Sequence, residues 1–107
     1  MNDPQFIEAA RHLAANAILE GGKDPKKRAD YLARRVLARN FKEPEHKILG
    51  RSKAAFSKTF RADPEAAKQL LTIGDSPLQE GIPIIDLATW TMVASQVLNF
   101  DEAITKH

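Results

Sequence analysis

The chain has 107 residues, of which 43% are hydrophobic and 28% are charged, and its formal net charge is +2. These values are typical of one folded globular domain and exclude an intrinsically disordered chain. The absence of cysteine excludes disulfides, thiolate metal sites, a cysteine nucleophile and covalent haem attachment.

Four acidic–proline pairs predict where helices begin: Asp3-Pro4, Asp24-Pro25, Glu43-Pro44 and Asp63-Pro64. Proline suits the first helical position because it lacks the N–H that would be unpaired there, and a preceding aspartate caps the free N–H groups. Glutamate is a weaker cap, so the third start is the least defined. The residues between the pairs do not repeat, so the regular spacing does not indicate a repeat protein.

The first four predicted helices are amphipathic. We predict helix one over 4–20, helix two over 25–39, helix three over 44–60 and helix four over 64–73, with glycines after the first and the fourth. Their apolar residues recur at helical spacing: Phe6, Ala10, Leu13 and Ala17; Ala29, Leu32, Ala33, Val36 and Leu37; Ile48, Leu49, Phe56 and Phe60; Leu70 and Leu71.

The fifth predicted helix, 84–98, is apolar nearly all round, which is typical of a central helix with neighbours on several sides. Asn99-Phe100-Asp101 is expected to break it. No segment alternates with the period of a strand. The sequence therefore predicts one all-α domain over 1–107, a compact bundle of about five helices around the last long one. Six residues are expected to be nearly fully buried: Leu13, Leu32, Val36, Leu70, Ala88 and Leu98.

The charge is unevenly distributed, because residues 23–61 hold 13 Lys or Arg and only 4 acidic residues. Two helical stripes form a possible interaction surface: Arg28, Arg35 and Arg39 on helix two, and Lys47, Arg51 and Lys58 on helix three. Such a surface could bind phosphates. We favour a solvated face, because the net charge is small. The basic side chains of this face would then pair with carboxylates from the rest of the chain, residues 1–22 and 62–107, which is acidic and is called here the acidic remainder. Arg34, Arg35 or Arg39 is expected to pair with such a carboxylate, with Asp101 and Glu102 as leading candidates.

No catalytic, cofactor or metal site is predicted, and the chain is not expected to be an enzyme. His12, His46 and His107 are far apart in sequence and lack the spacing of metal ligands. Ser76 lies in an Asp-Ser-Pro turn without the surroundings of a nucleophile. Trp90 is expected to pack in the core or at its boundary, with its N–H at the rim, rather than to anchor an interface.

Four sequence segments carry a family resemblance: Asn2 to Arg11; Arg34 to Arg39, followed by Glu43-Pro44-Glu45; Gly74-Asp75-Ser76-Pro77; and the stretch that begins with Trp90-Thr91 and ends with Leu98 to Glu102. In this order and spacing they resemble the C-terminal end of the planctomycete-type proteins classed as domain of unknown function 1553. The resemblance spans essentially the whole chain. It implies the last helical part of a larger, usually exported protein, often with c-type cytochrome-like domains upstream. It transfers no catalytic residue or haem ligand to this chain.

These observations favour a non-catalytic packing or interaction domain whose partner is a larger protein or upstream domains. The alternative is a nucleic-acid or polyanion-binding module that uses segment 23–61, although we do not favour nucleic acid as the partner. No membrane span is expected, because polar residues interrupt the most apolar stretch, 82–100. A complete chain without a signal peptide would be cytoplasmic, whereas a piece of a family member would be exported.

Overall fold

A computed structural model describes residues 3–74, 77–78 and 80–105, with side chains described as far as residue 100. Its elements are α1 (Pro4–Gly21), α2 (Pro25–Leu32), a π-helical turn (Ala33–Leu37), α3 (Glu43–Ala62), α4 (Pro64–Leu71) and α5 (Ile84–Thr105). No strand occurs among these residues. The prediction of an all-α bundle of five helices is confirmed.

Three helix starts follow the predicted Asp-Pro chemistry. The Asp3 and Asp24 carboxylates each accept the backbone N–H two residues on at 2.9 Å, and Asp63 accepts the N–H of Ala66 at 3.2 Å. Helix α3 begins differently, as its weaker cap suggested. There Glu45 reaches back and accepts the N–H of Lys42 at 2.7 Å, which satisfies a donor just before the first turn.

Two predicted helix ends are wrong. Helix two is α-helical only to Leu32 and continues as the π-helical turn, after which Ala38 adopts a left-handed conformation with φ 57° and ends it. Helix α5 is not broken at Asn99-Phe100-Asp101 but runs to Thr105. Those three residues include neither proline nor glycine, so they contain no strong stop signal.

Helix α5 is central, as predicted, because it packs against α1, α3, α4 and the π-helical turn. Its most extensive neighbour is α1, which presents Ala10, Ala14 and Ala17, all fully buried. Small side chains allow two helices to approach closely. The most extensive helix–helix contact of the domain is therefore built largely on alanine.

The core prediction is only partly correct. Leu32 and Ala88 are 0% exposed, as expected, whereas Leu13, Val36, Leu70 and Leu98 are half-buried and pack on the edge of the core. The apolar stripe predicted for α1 did not include Ile7, Ala14, Ala15 and Ile18, which are buried. Alanine occurs at many positions of this helix, so the sequence does not define clearly which face is apolar. Apolar residues that complete the core include Ile18, Phe41, Leu71, Leu87, Val93 and Val97.

Candidate functional site

Arg28 does not lie on the predicted surface, since the residue is only 8% exposed. Its Nη1 donates to both carboxylate oxygens of Asp86 at 3.0 and 3.1 Å, and its Nε donates to the carbonyl oxygen of Gly22. The guanidinium carbon also lies 5.5 Å from the centre of the Trp90 ring, within cation–π range. Arg28 thus joins the α1–α2 turn to the start of α5 and is not part of an interaction surface.

Arg39 is also engaged within the domain. Its two terminal nitrogens donate to the two carboxylate oxygens of Glu45 at 2.9 and 2.8 Å, the bidentate geometry that guanidinium groups favour. The hydrogen bond from Arg39, followed by that from the Lys42 N–H, lowers the pKa of the Glu45 carboxyl to about 2. The same contact raises the pKa of Arg39.

We expected Arg34, Arg35 or Arg39 to pair with a carboxylate of the acidic remainder. For Arg39 this expected partner was wrong. Glu45 belongs to the basic segment 23–61, not to the acidic remainder, and it is Arg28 that reaches the remainder through Asp86. The leading candidates, Asp101 and Glu102, have side chains outside the described residues. The sequence did contain a signal for the role of Asp86. It is a lone acidic residue in the first turn of a strongly apolar helix, and a carboxylate in such surroundings requires a partner.

The other four predicted surface residues, Arg35, Lys47, Arg51 and Lys58, are exposed. None of them takes part in an ion pair within the described part of the chain. Lys47, Arg51 and Lys58 share one face of α3, opposite the face that carries Leu49 and Phe60. This arrangement is typical of a solvated helix face.

The histidines do not converge. His46 Nε2 lies 3.5 Å from Asp30 Oδ1, and its ring meets Phe41 edge-on, whereas His12 is exposed and His107 lies outside the described residues. Within the described ranges, no group of three His, Cys, Asp or Glu side chains could hold a metal ion. Ser76 lies outside those ranges. The helices seen there include none long and apolar enough to cross a membrane.

Trp90 is 2% exposed, so the prediction that it packs in the core is confirmed. Its N–H, however, is not at the rim. The indole Nε1 is buried and has no hydrogen-bond partner among the described residues. A buried donor in this state is unusual in a native protein and requires a physical reason.

A buried arginine of α1 was missed altogether. Arg11 is 2% exposed and donates from Nη1 to the carbonyl oxygen of Pro77 at 2.9 Å. It fixes part of the link between α4 and α5 against α1. No sequence signal identified it, because an arginine beside an alanine stripe ordinarily lies at the solvent boundary.

An apolar groove lies between the first half of α3 and the later part of α5. Its volume is about 40 Å³, and its lining is Phe41, Ile48, Leu49, Gln96, Val97 and Phe100 together with one charged residue, Glu45, whose carboxylate is bound by Arg39. Ile48 is 51% exposed and Phe100 is 42% exposed, although both are large and apolar. In addition, Gln96 Oε1 is buried without a hydrogen-bond partner in the described region.

A second concavity, the α3–α5 cleft, runs along the seam between those helices. It consists of two cavities of about 240 and 350 Å³ that both border Lys53. Pro25, Lys26 and Ala29 of α2 also line the first cavity. Among the residues that matter for the chemistry of the cleft, Gly50, Trp90 and Val93 line the first cavity, Arg61 and Thr89 line the second, and Lys53 lines both.

The fold and these two surfaces define a small helical bundle with an apolar groove and a polar-rimmed cleft. No family model matches the chain, and neither a curated protein nor a solved structure matches it.

Proposed function

We propose that this chain is a non-catalytic interaction domain that docks onto a larger protein or an upstream domain through the apolar groove. The observation that carries the proposal is that Ile48 and Phe100, on two different helices, both border this groove while exposing 51% and 42% of their surfaces. Scattered apolar residues on a surface are ordinary, but apolar residues that converge on one concavity are typical of protein interfaces.

The family resemblance supports an upstream partner. A chain similar to the C-terminal helical part of the planctomycete-type proteins would lie against the rest of such a protein. The groove offers the kind of surface that a neighbouring domain covers, since contacts between domains resemble those between separate proteins.

A polyanion-binding function is less well supported. Arg28 and Arg39, two of the six residues proposed for it, are held by Asp86 and Glu45. What remains exposed of the six is Arg35 and, on α3, a stripe of Lys47, Arg51 and Lys58. Few phosphate contacts give weak binding that declines with salt, so this stripe alone would bind a polyanion poorly.

The test uses the polypeptide encoded immediately upstream of this chain, expressed separately and titrated calorimetrically. The expected result is binding that Ile48→Glu weakens at least about tenfold, because it places a charge in an apolar contact. Leu19→Glu is the matched control, since Leu19 is 60% exposed on α1 and does not border the groove. Failure to bind, or equal weakening by both variants, would contradict the proposal.

A further inference from the structure

The α3–α5 cleft contains buried donors that the fold does not use. Thr89 and Trp90 are each 2% exposed, and neither the Thr89 hydroxyl nor the Trp90 indole N–H has a hydrogen-bond partner among the described residues. Two other hydroxyls on α5 behave ordinarily, because Thr91 donates to Leu87 O and Ser95 to Met92 O, both at 2.7 Å. The unpaired hydroxyl is thus particular to the side of α5 that faces the cleft.

Gly50 gives a second, independent indication. Glycine in the middle of a helix is unfavourable relative to alanine, so its presence in α3 requires a reason. Neither sterics nor the backbone supplies one: a Cβ at this position would meet nothing within 4 Å, and Gly50 is not among the positive-φ residues. Gly50 borders the cleft, and the missing side chain leaves room there.

The charge and shape of the cleft indicate what could occupy it. Lys53 borders both cavities, with Lys26 at the edge of one and Arg61 at the edge of the other. Two carboxylates lie near these cations. Glu43 lines the first cavity, and Asp86 lines the second, where Arg28 already binds the Asp86 carboxylate. Unpaired donors beside lysines match a ligand that is anionic and rich in acceptors.

The floor of the first cavity is apolar, because Ala29, Leu49, Val93 and the Trp90 ring contribute to it. Its volume of about 240 Å³ exceeds the roughly 150 Å³ that accommodates a benzene molecule in an apolar protein cavity. A single ring with a short acidic side chain therefore fits in size as well as in polarity.

We propose that the α3–α5 cleft binds a small carboxylate that carries an aromatic or alicyclic ring. The carboxylate lies beside Lys53 and accepts hydrogen bonds from the Thr89 hydroxyl and the Trp90 N–H, while the ring rests on the apolar floor. Both donor atoms are buried, so binding requires neighbouring side chains to move aside. This site is distinct from the docking groove and does not depend on the proposed docking function.

The experiment uses the full chain and phenylacetate, with phenylacetamide as the neutral analogue of the same shape. Trp90 is the only tryptophan, so its fluorescence reports on the cleft directly. We expect saturable binding of phenylacetate with a change in this fluorescence, at least tenfold weaker binding of phenylacetamide, and a loss of affinity as salt increases. Absence of saturable binding to the folded protein, or equal affinity for the acid and the amide, would overturn the proposal.

Two variants separate a ligand site from a structural role. Thr89→Val removes the unpaired hydroxyl at nearly constant shape. This variant should have a higher melting temperature and at least fivefold weaker binding of phenylacetate. Thr91→Val is its control, because it removes a hydroxyl that has a hydrogen-bond partner. The control should have a lower melting temperature and an affinity for phenylacetate within twofold of that of the unaltered chain. Gly50→Leu should fill the cleft and abolish binding without unfolding the domain. Ala55→Leu is its control, because Ala55 is exposed on another face of α3 and does not border the cleft. If both cleft variants bind phenylacetate like the unaltered chain, the assignment is wrong.

Discussion

Arg28 is held by three parts of the chain at once: the carbonyl of Gly22, the carboxylate of Asp86 and the face of Trp90. The close approach that allows this depends on Gly21. A Cβ at that position would lie 2.7 Å from both the backbone nitrogen and the Cγ of Arg28, and a backbone atom cannot easily move aside. Arg28, which the sequence placed on a possible phosphate-binding surface, therefore has a structural role.

The first prediction follows from this contact. Arg28→Met keeps most of the volume but removes the donors, and it leaves the one-third-exposed Asp86 carboxylate without its partner. We expect a loss of about 2 kcal/mol in the free energy of unfolding, the range for hydrogen bonds to charged groups that are not fully buried. Denaturant unfolding measures it. Arg51→Met, at an exposed position, should change stability by less than about 0.5 kcal/mol, and equal effects would contradict the structural role of Arg28.

The second prediction concerns acid stability. The folded pKa of Glu45 is about 2, below its ordinary value of 4.5, so the contribution of this carboxylate is fully present above the ordinary pKa. As the pH falls from about 4.5 towards 2, the carboxylate protonates and that contribution is lost. Glu45→Gln should therefore be less stable than the unaltered chain at neutral pH, and the difference should shrink below pH 4.

Arg39→Gln is the matched variant for this prediction, because Arg39 is the first cause of the lowered pKa. It should flatten the same part of the pH–stability curve, and the double variant should add little to either single change. Curves that stay parallel to that of the unaltered chain between pH 2 and 4.5 would show that the Arg39–Glu45 pair does not form in solution.

At the scale of elements, helix starts were predictable, whereas two of the helix ends were not. An Asp-Pro pair marks a start by local chemistry, so three caps could be predicted from adjacent residues. The end of helix two depends on a π-helical turn and a left-handed Ala38, neither of which has a signal in local composition. The continuation of α5 past residue 99 likewise could not be derived from its propensities, which are weak in either direction.

The rotational phase of each helix was also only partly predictable. In α3, Leu49 and Phe60 face inward as expected, but Ile48 does not, because consecutive residues of a helix point about 100° apart and cannot both face the core. The two candidate surfaces could not be predicted from the sequence. Both the groove and the cleft form between α3 and α5, whose relative position depends on tertiary packing rather than on the residues of either helix alone.

The third prediction compares two leucines of α5 that the sequence alone does not distinguish. Leu87 is 2% exposed, whereas Leu98 is half-buried at the edge of the core. Leu87→Ala should lower the free energy of unfolding by about 2–5 kcal/mol, since the cavity it leaves is enclosed. Leu98→Ala should cost about 1–2 kcal/mol, because less surface is removed from water. Thermal or denaturant unfolding checks the order, and a larger loss for Leu98 would contradict the position of α5 in the bundle.

At the scale of the whole molecule, part of the excess of basic residues in 23–61 is used inside the fold. Two arginines are bound to carboxylates, one of which belongs to α5, so part of the charge holds helices together. The exposed remainder on α3 points away from the core. The apolar groove is on another side of the same helix, so docking through the groove and attraction through the basic stripe are separable in experiment.

Salt dependence of binding to the upstream polypeptide tests the central claim most directly. Contact through the apolar groove predicts a dissociation constant that changes less than about twofold between about 50 and 500 mM salt. Binding through three basic residues to a polyanion-like surface would weaken by roughly 500-fold over the same range, given a slope near 0.9 per contact. A weak dependence together with sensitivity to Ile48→Glu is the predicted result. A steep loss of affinity with salt, unchanged by that variant, would contradict it.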